Sequence, residues 1–526
     1  MTKDDAYSVA VLVREQATRL EGAPVFTFEG ETTTYRELEE NSKRLANGLR
    51  SLGIAKGDRV AFLGKNSPAY FELIVAAANI GAVVTPVNWR LAVPEVAYVL
   101  SDSGAKTVFV GGEFLGLVDE LKAQCSALEH VFDVEAAGTR YPHFQLWRQG
   151  FGTDLSETDT HCDNPLVQLY TSGTTGRPKG AVISHRAVLA LRGQDPSDRL
   201  LDWQVWEQGE SGLLAMPCFH VGGTVFGLGI IHSGAHAVVV REYKPSQALD
   251  FIETYNIGRM FMVPAALQLL LNDPRIQDTN FAKLRYIYYG ASPIPLELMR
   301  ESMRVFGCGF VQMYGMTETS GTIVTLNPED HDPDGSEKMR SVGKPLHGVE
   351  VKVIDADGEL VPTRGVGEIA VRSVKNMTGY WNKPEATAQT IDAEGWLRTG
   401  DAGYLDEDGY LYIHDRVKDM IISGGENIYP AEVENALYSH PQIADVAVIG
   451  VPDEKWGEAV MAYVVAKNSE TLDGDEVIAY ARTQIAGFKC PKRVAFIPAL
   501  PRNASGKILR RELRAPHWQG HDRAVN

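Results

Sequence analysis

Residues 171–180 read Thr-Ser-Gly-Thr-Thr-Gly-Arg-Pro-Lys-Gly, a run dense in hydroxyls and glycines that ends on a lysine. Such a loop offers backbone N–H groups and hydroxyls to the oxygens of a polyphosphate. Far down the chain Lys507 closes the run Pro-Arg-Asn-Ala-Ser-Gly-Lys. A lone late lysine of this kind can bring positive charge to a reacting phosphorus. The pairing implies activation by ATP. The loop leaves a predicted strand and Ser184 can cap the helix that follows, a setting in which polyphosphate is bound. It is not a Walker loop, because Lys179 follows Arg177-Pro178 and precedes Gly180. A solvated Ser/Gly turn is the bland alternative. Gly290-Ala-Ser-Pro lacks the second glycine of a hydrolase elbow, so no serine nucleophile is indicated. Asp355-Ala-Asp-Gly and Asp406-Glu-Asp-Gly lack the later ligands of a calcium loop and read as hairpin turns.

The elements that must position these groups are legible as apolar runs. Strands are predicted at Arg59–Leu63, Thr107–Val110, 167–171, 212–216, 236–240, 259–263, 285–289 and 310–314, with amphipathic stretches between them. Near-continuous apolar strands alternating with helices predict parallel, doubly wound sheets covered on both faces. From about Ser341 the texture changes to hairpins with turns at Asp357-Gly358 and Asp408-Gly409, a small β subdomain. After 415–419 the pattern restarts. A helix begins near Pro430 with Glu432 and Glu434 set to complement its dipole, and strands follow at 445–451 and 459–465. A helix at about 475–486 and a strand at 493–497 complete this unit. The expected fold is therefore α/β: a large N-terminal domain of two doubly wound sheets plus a small β subdomain, and a mobile α+β C-terminal domain. The boundaries are 1–416 and 417–526, with a hinge near Lys418, and Lys507 rides on the second unit.

Composition excludes several classes. The net charge of −17, without a sustained basic stripe, opposes nucleic-acid and anionic-lipid binding. Five scattered cysteines without CxxC spacing read as reduced thiols. The N-terminus lacks a signal-peptide pattern, and the most apolar stretch, 73–87, is too short for a bilayer and predicts a buried helix followed by a strand. A cytoplasmic location is expected. The oligomeric state is open, with a homodimer allowed for.

With those residues in hand, the chain resembles the adenylate-forming superfamily of acyl- and aryl-CoA synthetases, beetle luciferases and peptide-synthetase adenylation domains. Within it the chain is most similar to bacterial AMP-forming acyl- or benzoate-CoA ligases. The motifs stand in family order along almost the whole chain: TSGTTGRPKG (171–180), PCFHVGG (217–223), YYGASP (288–293), QMYGMTET (312–319), LRTGD (397–401), DRVKDMIISGGENIYP (415–430), DEKWGEAV (453–460) and PRNASGK (501–507).

The resemblance implies roles. Thr171, Ser172, Gly173, Thr174, Thr175 and Lys179 would hold the β- and γ-phosphates of ATP. Gly290, Ala291 and Ser292 would border the adenine, with Gln312, Met313, Tyr314 and Gly315 beside it and the Tyr314 ring stacked on the base. Thr317 would donate to the α-phosphate, and Glu318 would hold Mg²⁺, a hard cation that prefers oxygen. Asp401 would accept the ribose hydroxyls, with Arg416 on the same side. A substrate carboxylate would attack the α-phosphorus while Lys507 offsets the charge that builds. Rotation about Lys418 would then withdraw Lys507 and present the Gly424-Gly425 strand, along which the pantetheine of CoA could pass beside Trp456.

For the acid, amino-acid activators of the family place an aspartate where this chain has His220, which argues for a substrate without an α-amino group. Gly222, Gly223, Phe226, Met262 and Met316 suggest a roomy apolar acyl site. A fatty, alicyclic or steroid-derived acid fits, and an aromatic acid also fits. Coumarate ligases and luciferases carry lysines at the positions of Ile422 and Gly424, so a light-emitting monooxygenase is disfavoured. The basic residue for the 3′-phosphate of CoA is unassigned. A stand-alone enzyme loading a carrier-protein thiol, and a catalytically silent nucleotide-binding protein, are the competing readings.

Overall fold

The computed structural model describes the chain except residues 1–6, 136–139, 157–159, 172–176, 191–199, 417–418, 424–425, 454, 468–471, 503–506 and 520–526. The side chains of 415, 416, 426 and 427 are likewise outside the description. All the N-terminal strands expected from sequence form, with ends displaced by at most two residues.

Among the described residues the strands assemble into four sheets. A seven-stranded sheet carries the phosphate-loop candidate. Its parallel core runs Pro165–Thr171, Val83–Val87, Arg59–Leu63, Thr107–Val110 and His130–Asp133, and Lys179–Ser184 returns antiparallel beside Pro165–Thr171. A nine-stranded sheet has a parallel core of Pro24–Phe28, His236–Val239, Ser211–Leu214, Ile257–Met262, Tyr286–Gly290 and Gly309–Met316. Gly321–Leu326 folds back antiparallel on Gly309–Met316.

Two helices fill the space between these sheets. Pro68–Ile80 is capped by the Ser67 hydroxyl, opens with proline and ends at Gly81 in the left-handed region. It is apolar nearly all round because it is covered on every side. Val221–Ser233 lies against it: a Cβ at Gly227 would stand 2.3 Å from the Phe71 ring, so only glycine lets the two helices meet there. One apolar core joins residues of both sheets and both helices, including Phe26, Val60, Phe71, Val84, Leu169, Leu214 and Leu228. The stretch 73–87 is thus a buried helix and strand, as its composition implies. Among the described residues no helix is long and apolar enough to cross a membrane.

The expected hairpin unit is a four-stranded antiparallel sheet of Glu350–Ile354, Gly367–Arg372, Leu397–Leu405 and Leu411–Arg416. Gly358 and Gly409 take positive φ at its Asp-Gly turns. The C-terminal sheet joins Glu426–Ile428, Ile421–Ser423, Gly457–Ala466 and Ile443–Asp453, with Arg493–Phe496 parallel to Gly457–Ala466. It has apolar clusters of its own, one with Ile421, Val433, Val448 and Val477, the other with Ile449, Met461, Leu500 and Leu513.

One expectation is corrected here. Glu434 does not serve the dipole of helix Pro430–Tyr438, whose first turn holds Glu432 alone among acids. Glu434 is buried, accepts the Val448 N–H at 2.7 Å and pairs with Arg510 at 2.6 Å. The helix turns that position inward, and a buried carboxylate needs the cation more than the dipole does.

Candidate active site

The site grows from the hairpin Gly309–Met316/Gly321–Leu326. Gly315 has no room for a side chain: a Cβ there would lie 2.0 Å from the Gly321 carbonyl oxygen. The strand therefore slips register between Tyr314 and Gly315 and throws Thr317–Thr319 into a tight helical turn. Ser320 leaves that turn at φ 50°, and Ala291, at the end of the neighbouring strand Tyr286–Gly290, stands at φ 66°. Non-glycine residues rarely hold this conformation, and when they do it is commonly at working sites.

Glu318 is nearly buried. Its Oε1 accepts from the Tyr380 hydroxyl at 2.8 Å and the Thr171 hydroxyl at 3.3 Å, and its backbone carbonyl accepts from Met377 N at 2.7 Å. Thr171 and Lys179 face each other across the paired strands that flank the loop, and Lys179 Nζ sits 4.4 Å from the Tyr380 ring centre. The structure thus gathers Thr171, Lys179 and Glu318 around Tyr380. Sequence reasoning did not single out Tyr380; the Gly379-Tyr380-Trp381 triplet, with Gly379 at φ 148°, was the available signal. Ser172, Gly173, Thr174 and Thr175 lie outside the described residues.

On the other side of the hairpin, Tyr314 donates from its hydroxyl to Asp401 Oδ2 at 2.8 Å. Asp401 is nearly buried on Leu397–Leu405, and its backbone pairs with that of Arg416. Gln312 accepts from the Tyr289 hydroxyl at 3.2 Å. Gly290 lies opposite Met313 in the parallel pair, with Ala291 exposed and Ser292 half-buried beyond it.

The acyl candidates meet this hairpin through helix Val221–Ser233. A Cβ at Gly321 would lie 3.8 Å from both Val221 and Val225. Gly222 faces the Phe261 ring, and Phe226 packs among Trp206, Phe261 and Tyr288 at ring separations of 5.9–6.3 Å. Gly223 abuts the Pro217 carbonyl, and Met316 is half-buried at the hairpin end opposite Gly321. His220 stands at the N-terminus of the helix with its ring 4.5 Å from that of Phe219. Among the described residues its buried Nε2 has no hydrogen-bond partner, and burial, reinforced by Arg90, pushes the imidazole down to about 4. Met262 is not brought to this group. It lies in the core on the opposite face of the sheet with Leu213, Leu267 and Ile287, and the pleat presents its neighbour Phe261 instead.

Lys507 is half-buried and precedes Ile508, whose backbone pairs with Arg502. Both flanks of its segment are pinned to the C-terminal unit, Arg502 to Asp445 of strand Ile443–Asp453 at 2.7 Å and Arg510 to Glu434 of helix Pro430–Tyr438 at 2.6 Å. Trp456 is 43% exposed in the turn between Ile443–Asp453 and Gly457–Ala466, next to Gly457, which pairs with Ser423. Gly424, Gly425 and Lys418 lie outside the described residues, as does the side chain of Arg416.

Comparison with known proteins decides the family. The profile of the AMP-binding enzymes matches residues 13–381, and that of the AMP-binding enzyme C-terminal domain matches 432–507. The chain belongs to the AMP-binding enzyme family. A fatty acid–[acyl-carrier-protein] ligase of Streptomyces coeruleorubidus is 43% identical over 96% of this chain and 95% of its own length. A feruloyl-CoA synthase of Amycolatopsis is 39% identical over 92% and 94%, and a long-chain-fatty-acid–CoA ligase of Mycobacterium tuberculosis is 37% identical over 91% and 92%. The crystal structure of an anthranilate CoA ligase with anthranoyl-AMP superposes with a TM-score of 0.88 at 25% identity, covering 97% of each chain. As an AMP-binding enzyme the protein is an AMP-forming acid–thiol ligase of mixed α/β fold with a separate C-terminal domain.

Proposed function

We propose that this enzyme activates an apolar carboxylic acid, fatty or alicyclic, with ATP to an acyl-adenylate and passes the acyl group to CoA. The observation that carries this reading is the shared hairpin. Tyr314 and Asp401 stand on one side of it, Thr171, Lys179 and Glu318 on another, and the apolar end of helix Val221–Ser233 against its tip.

In the first half-reaction a carboxylate oxygen bonds to the α-phosphorus, the bond to the β-phosphate oxygen breaks, and pyrophosphate leaves. Thr171 and Lys179 hold the departing phosphates, Thr317 donates to the α-phosphate, and Asp401 accepts from the ribose. Lys507 offsets charge in the transition state, delivered by residues 417–526 turning about Lys418. Among the described residues both hydrogen bonds to the Glu318 carboxylate fall on Oε1, which leaves Oε2 as a ligand for a cation, and the neighbouring Thr171 hydroxyl is a second oxygen ligand. That set fits Mg²⁺, which when bound supplies positive charge to the phosphate oxygens. In the second half-reaction the thiol gives up its proton, its sulfur bonds to the acyl carbon, and AMP leaves. Trp456, next to Gly457 whose backbone pairs with Ser423, would guide pantetheine. The free cysteines suit the cytoplasm, where ATP and CoA are also supplied.

For the acid, neutral His220 and the rings of Phe226 and Phe261 favour a chain without an ammonium group. A carrier-protein thiol as acceptor is the second reading, favoured by the relative named as a fatty acid–[acyl-carrier-protein] ligase. The test is a panel of fatty, alicyclic and aromatic acids with ATP and Mg²⁺, offered CoA or a pantetheinylated carrier protein. Thioester on CoA with fatty or alicyclic acids bears the proposal out. AMP release only with the carrier replaces it by the second reading, and no AMP or pyrophosphate with any acid ends both.

A further inference from the structure

The phosphate-loop candidate springs from two strand ends, and one carboxylate outside every motif reaches both. Asp102 lies in the helix Val93–Ser103, its side chain 11% exposed. Tyr170, directly before Thr171 at the first root, donates to Asp102 Oδ2 at 2.7 Å. At the second root, directly before Lys179, the Pro178 carbonyl oxygen lies 3.1 Å from the Tyr98 hydroxyl. That hydroxyl is also 3.3 Å from Asp102 Oδ1. Burial and the Asp102 charge both raise the Tyr170 phenol above its ordinary value, so it remains a donor.

The same residue holds the segment that carries Tyr380. Trp381 Nε1 donates to the Asp102 carbonyl at 3.1 Å, and Lys383 Nζ lies 3.7 Å from Oδ1. Arg59 closes the ring: its guanidinium stacks 3.4 Å from the Trp381 ring centre, its Nε donates to Gln168, and Gln168 donates to the Tyr170 hydroxyl at 3.0 Å.

We infer that Asp102 is a positioning residue for ATP: it fixes the two roots of the phosphate loop relative to each other and to Tyr380. The inference rests on residues 171–180 being the phosphate loop. Its effect falls on nucleotide affinity and adenylation, not on the acid or thiol steps, because among the described residues its contacts are Tyr98, Tyr170, Trp381 and Lys383 and none of the acyl candidates.

The test uses the full-length enzyme with kcat and KM measured separately for ATP and acid, and thioester formation from supplied acyl-adenylate. Asp102→Ala is expected to raise the KM for ATP about 10-fold, leaving the acid KM and the second half-reaction within about 2-fold. Asp102→Asn should recover most of the loss, since an amide can accept from Tyr170 and donate to the Tyr98 hydroxyl, freeing that hydroxyl's proton for Pro178. Tyr170→Phe added to Asp102→Ala should cost little more, as both remove one linkage. Lys179→Ala in the same assay separates the two claims. If it raises the KM for ATP and Asp102→Ala does not, the positioning role falls and the phosphate loop stands; if neither does, both fall. Equal loss in both half-reactions, or no recovery with Asp102→Asn, marks a merely structural residue and overturns the inference. Should Asp102→Ala fail to fold, Tyr98→Phe and Tyr170→Phe must show the same selective rise in the KM for ATP, and its absence overturns the inference as well.

Discussion

Tyr314 and Asp401 belong to different sheets, yet the phenol of one donates to the carboxylate of the other at 2.8 Å. On the proposed function, a ring for the base and an acceptor for the ribose hydroxyls are thereby held at a fixed spacing. Tyr314→Phe keeps the ring and loses the tether. The KM for ATP is expected to rise about 3- to 10-fold with the acid KM unchanged, as read from initial rates at varied ATP.

Glu318→Gln keeps its shape and its hydrogen-bonded oxygen but loses the charge that would face Mg²⁺. Pyrophosphate exchange should fall by about 100-fold and the Mg²⁺ concentration for half-maximal rate should rise. Tyr380→Phe, which removes one donor to Oε1, should cost only a few-fold. A Glu318→Gln enzyme with an unaltered Mg²⁺ dependence would remove the metal role.

Lys507→Ala should depress adenylate formation by about 100- to 1,000-fold and leave thioester formation from supplied acyl-adenylate largely intact. Rapid-quench measurement of each half-reaction separates the two. Equal losses would count against a lysine that acts in one step only.

Gly222→Val would press a branched side chain onto Phe261, which already lies 2.9 Å from the site of a Cβ. The KM for the acid should rise about 10-fold or more, most for bulky acids, with the KM for ATP unchanged. Altered ATP affinity with unaltered acid preference would place the acyl site elsewhere.

Burial lowers His185, His220 and His331 from an ordinary 6.5 to about 4. Between those values the unfolded chain binds protons that the folded chain does not, so stability rises with pH across this window and is lost on acidification. Thermal melts should fall by several degrees between pH 7 and pH 5, and His185→Gln should flatten that slope if it folds. A melting temperature independent of pH in that range would contradict the burial of these rings.

Apolar runs located the strands because parallel strands covered on both faces leave a continuous signal. The same continuity hid which residue faces which way. Met262 and Phe261 are equally apolar, and only the packing of helix Val221–Ser233 on one side of the sheet sets Phe261 against Gly222 and Phe226 and leaves Met262 in the core. Glu434 was misplaced for a related reason, since its inward role depends on Arg510, 76 residues away. Tyr380 and Asp102 lay outside local reasoning too: their partners are 62 and 68 residues distant, and neither stands in a run dense in chemistry-bearing types. The residues proposed for the phosphates, the ribose and the α-phosphorus could be named from sequence because each sits in a compact motif whose residue types suggest a task.

The C-terminal unit has its own apolar clusters, and Arg502 and Arg510 fasten the lysine's segment to a strand and a helix of that unit by ion pairs. On the proposed function, the lysine that would serve the phosphorus is carried by the unit that holds these clusters, while the residues proposed for the acid, Gly222, Gly223, Phe226 and Met316, all belong to the other. Selection for new substrates can remodel those residues without disturbing the cation, and recombination can exchange the cation-bearing part without rewriting substrate choice.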